Sequence, residues 1–396
     1  MPKTIMILGA SILQLPAIEK AIEMGLNVVA LDMNPKAVGF NVPGVTREII
    51  STIDVEGAIE AAKKHKIDGV MTLATDMPMR VVAAVAKELG LVGISQETAI
   101  KATDKAAMRE ALLAAGVPVP RFYKLGSIEE YREVEEKFNI PFVVKPADSS
   151  GSRGITRVEG TDDNAYSYAK SFSRNGIVVV EEYLSGPEVS VETMAIDGEV
   201  HVIQITDKIT TGAPHFVEIG HTQPSRLNSL DDIKKVTIAA NKAIGIENGP
   251  SHTEIILTEK GPKIVELGAR LGGDCITTHL VPLSTGVNMV EACIRIALGE
   301  KPDIKARMNF GSAIRYFIQH AGRIESVDIS EAEKYPGVQK ISVVHGVGEI
   351  ITDIVDSGSR MGFVITQGRN AAEAAGLAEN ALSRINVVIK DYRNAY

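Results

Sequence analysis

The sequence predicts a mixed α/β and α+β protein: a parallel-sheet α/β domain at the N-terminus, hairpin-built layers in the middle and a β-rich C-terminal domain. Three observations lead there. Short apolar runs alternate with helical patterns over residues 1–95, the signature of a parallel sheet covered by helices on both faces. From Pro141 the strands come in closely spaced pairs, and beyond residue 300 they are short and separated by turns. The chain has 396 residues, 45% hydrophobic and 23% charged, an ordinary globular composition. That length is enough for about two to four domains.

Taken in order, Thr4–Leu8 is a buried strand ending at Gly9. Pro16–Met24 is helical, with Ile18, Ala21 and Ile22 on one face and Gly25 as its stop. Asn27–Leu31 is the next strand, closing at Asp32; Gly69–Leu73 and Met77–Leu89, stopped by Gly90, repeat the unit. Around Ser95–Arg121 the chain becomes helical. There Met108, Ala111, Leu112 and Ala115 form a stripe, Asp104 suits an N-cap, and Gly116 then Pro118 end the helix. Val189–Ile196 and Glu199–Thr206 flank Asp197-Gly198, a two-residue hairpin signal. Thr253–Leu257 and Lys263–Leu267 flank a short loop containing Gly261. Asp207–Leu227 has no periodicity and reads as a loop. Strands at Ala313–Ile318, Ile341–His345 and Phe363–Thr366, a helix over Asn370–Ile385 and a last strand complete the chain.

Composition narrows the function. A net charge of −8 without a basic run argues against nucleic acid, whose phosphates are met by clustered Lys and Arg. Cys275 and Cys293 are the two cysteines; they give no disulfide framework and suit a reducing compartment. The uncharged stretch Thr4–Ile18 is too short to span a bilayer and contains Gly9, Gln14 and Pro16. The expectation is a soluble cytoplasmic protein with no membrane partner.

Four segments carry chemistry. The first strand–helix turn, Leu8 to Gln14, offers only Gly9 where a dinucleotide fingerprint needs three glycines. Phe142-Val143-Val144-Lys145-Pro146 then leads into Ser149-Ser150-Gly151-Ser152-Arg153-Gly154-Ile155. Such a loop lets backbone N–H groups approach polyphosphate oxygens beside a lysine, although alone it reads equally as a surface turn. Ile177–Leu184 runs a buried strand into Glu181-Glu182-Tyr183-Leu184, followed by Glu188. This fits a hinge against a nucleoside, or plain solvated acids. Finally, a Glu259-Lys260-Gly261 loop would set 258 against 262, 256 against 264 and Glu254 against Glu266. Opposed carboxylates repel, and a divalent cation between them removes the objection, Mg2+ suiting hard oxygen ligands that leave room for phosphate. Arg270 follows, a guanidinium for phosphate.

In this order, Asp104-Lys105, the Val-Val-Lys-Pro strand, the Ser/Gly loop, the Glu-Glu-Tyr-Leu hinge, and Glu254 with Glu266-Leu-Gly-Ala-Arg resemble the ATP-grasp superfamily over residues 3–390. The resemblance implies an N-terminal α/β domain (1–95), a helical linker with the first lobe of a two-lobed nucleotide-binding unit (96–184), a second lobe with the metal site (185–305) and a β-rich C-terminal domain (306–396), an organisation like that of biotin carboxylase. It implies that Lys105 and Lys145 hold ATP phosphates and that Ser150, Gly151, Ser152, Gly154 and Ile155 close over them. Glu181, Glu182, Tyr183 and Leu184 would meet adenine, Glu188 the ribose, Glu254 and Glu266 the Mg2+ (or Mn2+), and Arg270 the transferred phosphate. Gly268 departs from the Glu-x-Asn-x-Arg pattern of many members, which leaves the second metal to Glu266, phosphate or water.

Glu-x-Gly-Ala-Arg together with Gly220-His221-Thr222-Gln223-Pro224-Ser225 is most similar to the L-amino-acid, dipeptide-forming ligases. The implied reaction activates a carboxylate as an acyl phosphate and couples it to an amine, both small-molecule substrates. The family also allows a homodimer. Arg270, Lys145 and His221 are the implied catalytic groups, with His215, Asp274 and His279 further candidates for accepting the amine proton. Rival readings are a glycinamide-ribonucleotide-type or bicarbonate-activating ATP-grasp enzyme, a nicotinamide oxidoreductase and a regulatory ATP-binding subunit.

Overall fold

The computed structural model describes residues 2–390 apart from 139, 140, 150, 152 and 214. Strands β1 (Thr4–Leu8), β2 (Asn27–Leu31), β3 (Val45–Glu48) and β4 (Gly69–Met71) form an all-parallel sheet in the order β3-β2-β1-β4. Helix α1 (Leu15–Glu23) connects β1 to β2, α2 (Val55–His65) connects β3 to β4, and α3 (Pro78–Leu89) follows β4. Every residue of β1 after Thr4 is buried, which is why that strand reads as a continuous apolar run. After α4 (Gln96–Lys101), α5 (Lys105–Ala114) begins at an N-cap where the Asp104 carboxylate accepts from the Ala107 N–H.

The chain then forms a small lobe. Strands β5 (Phe122–Leu125), β6 (Phe142–Pro146), β7 (Thr156–Val158) and β8 (Val178–Glu182) pair antiparallel in the order β5-β8-β6-β7. The helices at Ile128–Glu135 and Asp163–Phe172 cover the sheet. Tyr131, Phe138, Phe142, Val144, Tyr166 and Val180 make a core of its own.

Strands β9 (Glu188–Ile196), β10 (Glu199–Thr210), β11 (Glu218–Gln223), β12 (Gly249–Thr258), β13 (Gly261–Gly268) and β14 (Gly311–Tyr316) follow. After them come β15 (Gly322–Asp328), β16 (Val338–Val343), β17 (Ile350–Ile351), β18 (Gly362–Gly368) and β19 (Asn386–Lys390). Eight of them form one antiparallel sheet, β13-β12-β9-β10-β11-β14-β18-β16, and β17-β15-β19 form a small separate one. The large sheet is continuous across residue 305 through the β11–β14 pairing. Its apolar side shares a core with the N-terminal domain, from Met6 and Leu8 to Val191 and Ile255. No single helix among the described residues is long and apolar enough to cross a membrane.

Two sequence expectations need correction. Asp207–Leu227 is not a loop: β10 runs on to Thr210, and Glu218–Gln223 is a central strand. Its buried positions carry hydrogen-bonded polar side chains, so no apolar alternation marks it. Gln223 donates to Thr206 Oγ1 (2.9 Å) and accepts from Ser284 (2.8 Å), and Arg315 donates to Thr222 Oγ1 (3.1 Å). The β12–β13 turn is also one residue shorter than expected, since Thr258 pairs with Gly261 and Ile255 with Ile264. A bulge then leaves Val265 as the extra residue and sets Glu254 opposite Glu266.

Candidate active site

A cleft of about 1380 Å³ lies between the N-terminal domain, the small lobe and the large sheet. It exceeds the few hundred to one thousand Å³ of a typical single-ligand pocket and has room for a nucleotide with further small molecules.

On the small-lobe side, β6 delivers Lys145 and β8 delivers Glu181, both buried. Lys145 Nζ lies 2.6 Å from Glu181 Oε2. Arg109, on α5 one turn after Lys105 and fully buried, takes the same carboxylate through Nε (2.7 Å) and Nη2 (3.2 Å). It also donates to the carbonyl of the bulged Val265 (2.5 Å). Burial pushes the Glu181 pKa up, but Arg109 and Lys145 outweigh it, and the carboxyl lies below its usual range. Burial lowers the Lys145 pKa; Glu181 opposes this while Arg109 and Lys105 add to it, leaving the ammonium at about 8. Lys105 Nζ donates to the Ser149 carbonyl (2.7 Å) and to Glu266 Oε1 (2.9 Å).

Glu254 and Glu266 face each other across the β12–β13 hairpin. Glu254 is flanked by two cations, Lys208 Nζ at 3.1 Å and His252 Nε2 at 3.4 Å. Lys208 is almost fully buried among Glu188 (2.6 Å), Glu254 and Glu218 (3.5 Å). Burial lowers its pKa, but the three carboxylates win, and it lies well above the usual value. His252 Nδ1 lies 2.5 Å from the fully buried Glu192. Burial opposes its charge, yet Glu192 leads the groups that raise its pKa to about 9. A Cβ at Gly272 would stand 2.7 Å from His252 Nδ1 and 2.9 Å from Glu192 Oε2, so only glycine lets the backbone cross this pair.

Among the described residues no three acidic, imidazole or thiol groups form a ready-made metal cage. Two opposed carboxylates nevertheless fit Mg2+, which commonly binds through one or two carboxylates with substrate phosphates completing the shell. Arg270 is held from the N-terminal domain: Asp76 accepts from its Nε at 2.8 Å and its Nη2 at 3.4 Å. Asp76 also explains Gly268, where an added Cβ would lie 2.8 Å from Asp76 Oδ1.

The sequence of the ATP-grasp domain family matches residues 138–278, and L-amino acid ligase C-terminal domain 2 matches residues 315–390. The chain carries an ATP-grasp domain. The L-arginine-specific L-amino acid ligase of Bacillus subtilis is 26% identical over 67% of this chain and 66% of that protein's own length. The L-amino acid ligase of Bacillus licheniformis superposes with a TM-score of 0.86 at 25% identity, over 98% of this chain and 99% of that one. The biotin carboxylase domain of Hydrogenobacter thermophilus 2-oxoglutarate carboxylase, solved with ADP, its magnesium salt and bicarbonate, shares the fold. It superposes with a TM-score of 0.78 at 19% identity, over 98% of this chain and 92% of that one.

Within this ATP-grasp fold most of the expected residues converge. Ser149, Gly151, Arg153 and Ile155 line the cleft, while Gly154 backs onto Phe172; Ser150 and Ser152 lie outside the described residues. Glu182 pairs with Lys263, the Arg157 guanidinium stacks on Tyr183 at 4.5 Å, and Leu184 lines the wall. Glu181 does not present a free carboxylate to the cleft, because Arg109 and Lys145 hold both of its oxygens. His221 Nε2 lies 3.2 Å from Asp274 Oδ2, and Asp274 also accepts from Arg360 (2.9 and 2.7 Å). Burial would raise the Asp274 pKa, but Arg360 and His221 hold it well below the carboxylate range. Of the other proton acceptors considered, His279 lines the cleft and the exposed His215 does not.

Sequence reasoning missed Arg109, Lys208, Asp76, Glu192 and His252. A signal existed for Arg109, four residues after Lys105 and therefore on the same helix face. His252 stands two residues before Glu254 on the same face of β12, a second such signal; Lys208, Asp76 and Glu192 meet their partners only through sheet pairing or domain docking.

Proposed function

We propose that this enzyme is an ATP-dependent carboxylate–amine ligase that joins two amino acids through an acyl phosphate, releasing ADP and phosphate. The observation that carries the reading is one cleft holding Lys105 and Lys145, the Glu254–Glu266 pair and Arg270. In this reading Lys105 and Lys145 bind the ATP phosphates, the glycine-rich loop covers them, and Tyr183 and Leu184 border adenine. Glu188 meets ribose. Glu254 and Glu266 hold Mg2+, which when bound supplies charge neutralisation on the phosphates.

The substrate carboxylate oxygen attacks the γ-phosphorus and ADP leaves. Arg270 steadies the transferred group. Asp76 takes Nε and one Nη2 hydrogen, and the Leu271 carbonyl accepts from Nη1 at 3.4 Å, which leaves one hydrogen on each Nη for phosphate oxygens. Glu218 offers a carboxylate for an amino-acid ammonium beside Lys208. The amine of the second substrate then attacks the acyl carbon, phosphate departs, and a proton must leave the nitrogen. His221 suits that task. Its Nε2 faces Asp274 at 3.2 Å, and its Nδ1 is buried without a hydrogen-bond partner among the described residues.

The test is ADP release across pairs of the twenty amino acids, with mass spectrometry of the products. Stimulation by amino-acid pairs, abolished in a folded Glu266→Gln variant, is the expected result. If no pair stimulates turnover while phosphoribosylamine with glycine, or bicarbonate, does, the amino-acid assignment is wrong. A fully active Glu266→Gln enzyme removes the metal assignment.

A further inference from the structure

An enzyme that joins two amino acids must treat two carboxylates differently. One is activated, and the other stays unreacted on the amine donor. The cations of the cleft show where the second is held, an inference that rests on the ligase reading above. Lys105, Lys145, Lys208, Arg270 and Arg360 each meet a carboxylate at 2.9 Å or closer, and so does Lys20. Outside the glycine-rich loop, Lys340 is the one cleft-lining lysine or arginine among the described residues without a carboxylate at ion-pair distance. It stands on β16, the outermost strand of the large sheet, and its ammonium lies 3.3 Å from His279 Nε2.

Hydrogen-bond bookkeeping fixes the rest. An ammonium only donates, so His279 Nε2 accepts and the ring proton is on Nδ1. That proton goes to Thr278 Oγ1, 2.8 Å away. The hydroxyl keeps its own hydrogen to give, either to the sulfur of Cys275 or to a ligand oxygen, of which a carboxylate is the stronger acceptor. Burial first, and then the Lys340 charge, push the His279 pKa down to about 4, which keeps the ring neutral. The Cys275 thiol, pushed by burial up to about 11, stays protonated and brings no competing charge. This end of the cleft therefore offers ammonium and hydroxyl donors to an anion.

We propose that Lys340 and Thr278, held in register by His279, bind the free carboxylate of the amine-donating amino acid. Thr278 and His279 belong to the segment following Arg270, so the same stretch of chain that steadies the activated group also orients the nucleophile.

The assay uses the full-length enzyme and the most active amino-acid pair from the ADP-release screen. It compares the amine donor with its C-terminal amide, which keeps the amine and loses the negative charge. The wild type should prefer the acid by about tenfold or more in kcat/KM, the order expected for a charge-assisted hydrogen bond. Lys340→Met should erase that preference by raising KM for the acid alone, with KM for ATP and for the activated amino acid unchanged. Lys340→Arg should keep most of it. An active Lys340→Met enzyme that still prefers the acid overturns the proposal, as does a wild type that uses acid and amide equally. A wild type that ligates no amino-acid pair overturns the ligase reading instead, and this inference falls with it.

Discussion

Replacing Arg109 with methionine probes the buried charge cluster that surrounds Lys145. The guanidinium is 0% exposed and makes two bonds to Glu181 and one to the Val265 carbonyl, at 2.5 to 3.2 Å. Methionine restores much of the volume, so the loss is chiefly electrostatic. Removing one partner of a buried ion pair costs about 3–5 kcal/mol. Lys145 remains on Glu181 at 2.6 Å and keeps it neutralised, which favours the lower end, about 3 kcal/mol. That is a large share of a typical stability of about 5–15 kcal/mol and, for a chain of this length, corresponds to a fall in Tm of roughly 3–5 °C. Calorimetric melting and urea titration of both proteins measure it. A companion variant, Arg109→Met with Glu181→Gln, should be less destabilised than the sum of its single changes by about 1 kcal/mol or more. A loss below about 1 kcal/mol in the single variant, or strict additivity in the double, would refute the reasoning.

Lys145 releases its proton near pH 8 in the folded protein, against 10.5 for an ordinary lysine. Between those values the unfolded chain binds more protons, so this group's contribution makes stability rise with pH across that window. ATP affinity should move the other way, weakening above about pH 8 as the ammonium is lost; calorimetry at several pH values checks this, and a profile identical in Lys145→Met contradicts it. Gly268→Asn should cut ADP release by about tenfold or more, because its Cβ would stand 2.8 Å from Asp76 Oδ1 and displace Arg270. Adding Asp76→Ala should recover part of that loss, whereas full activity in Gly268→Asn alone would show that Asp76 does not restrict the position.

Much of this arrangement was legible from local pattern. The parallel N-terminal sheet follows from the apolar run ended by Gly9 alternating with helices stopped by Gly25 and Gly90, and the α5 start from Asp104. The opposition of Glu254 and Glu266 was read from a turn one residue too long, and the Val265 bulge cancels that error; bulges leave no reliable mark in composition. Asp207–Leu227 carries no strand signal because β11 buries histidine, threonine and glutamine on its two faces, where hydrogen bonds replace the apolar alternation that betrays a strand. Lys208 could not be found at all by spacing. Its three carboxylates, Glu188, Glu218 and Glu254, come from three different strands, and only sheet order brings them together. Asp76 meets Arg270 across 194 residues of chain, a contact made by domain docking.

The continuous eight-stranded sheet has a mechanical consequence. Pairing runs from β13 to β16, interrupted only by single bulges or register shifts, so the walls formed by Glu254, His221 and Lys340 are tied into one plate. The four-stranded lobe has its own sheet and a private aromatic core. At its edge nearest the plate, Arg109 grips Glu181 on the lobe and Val265 on the plate at once, and Lys263 reaches Glu182 beside it. A lobe swinging over a nucleotide would turn about that guanidinium as about an axle.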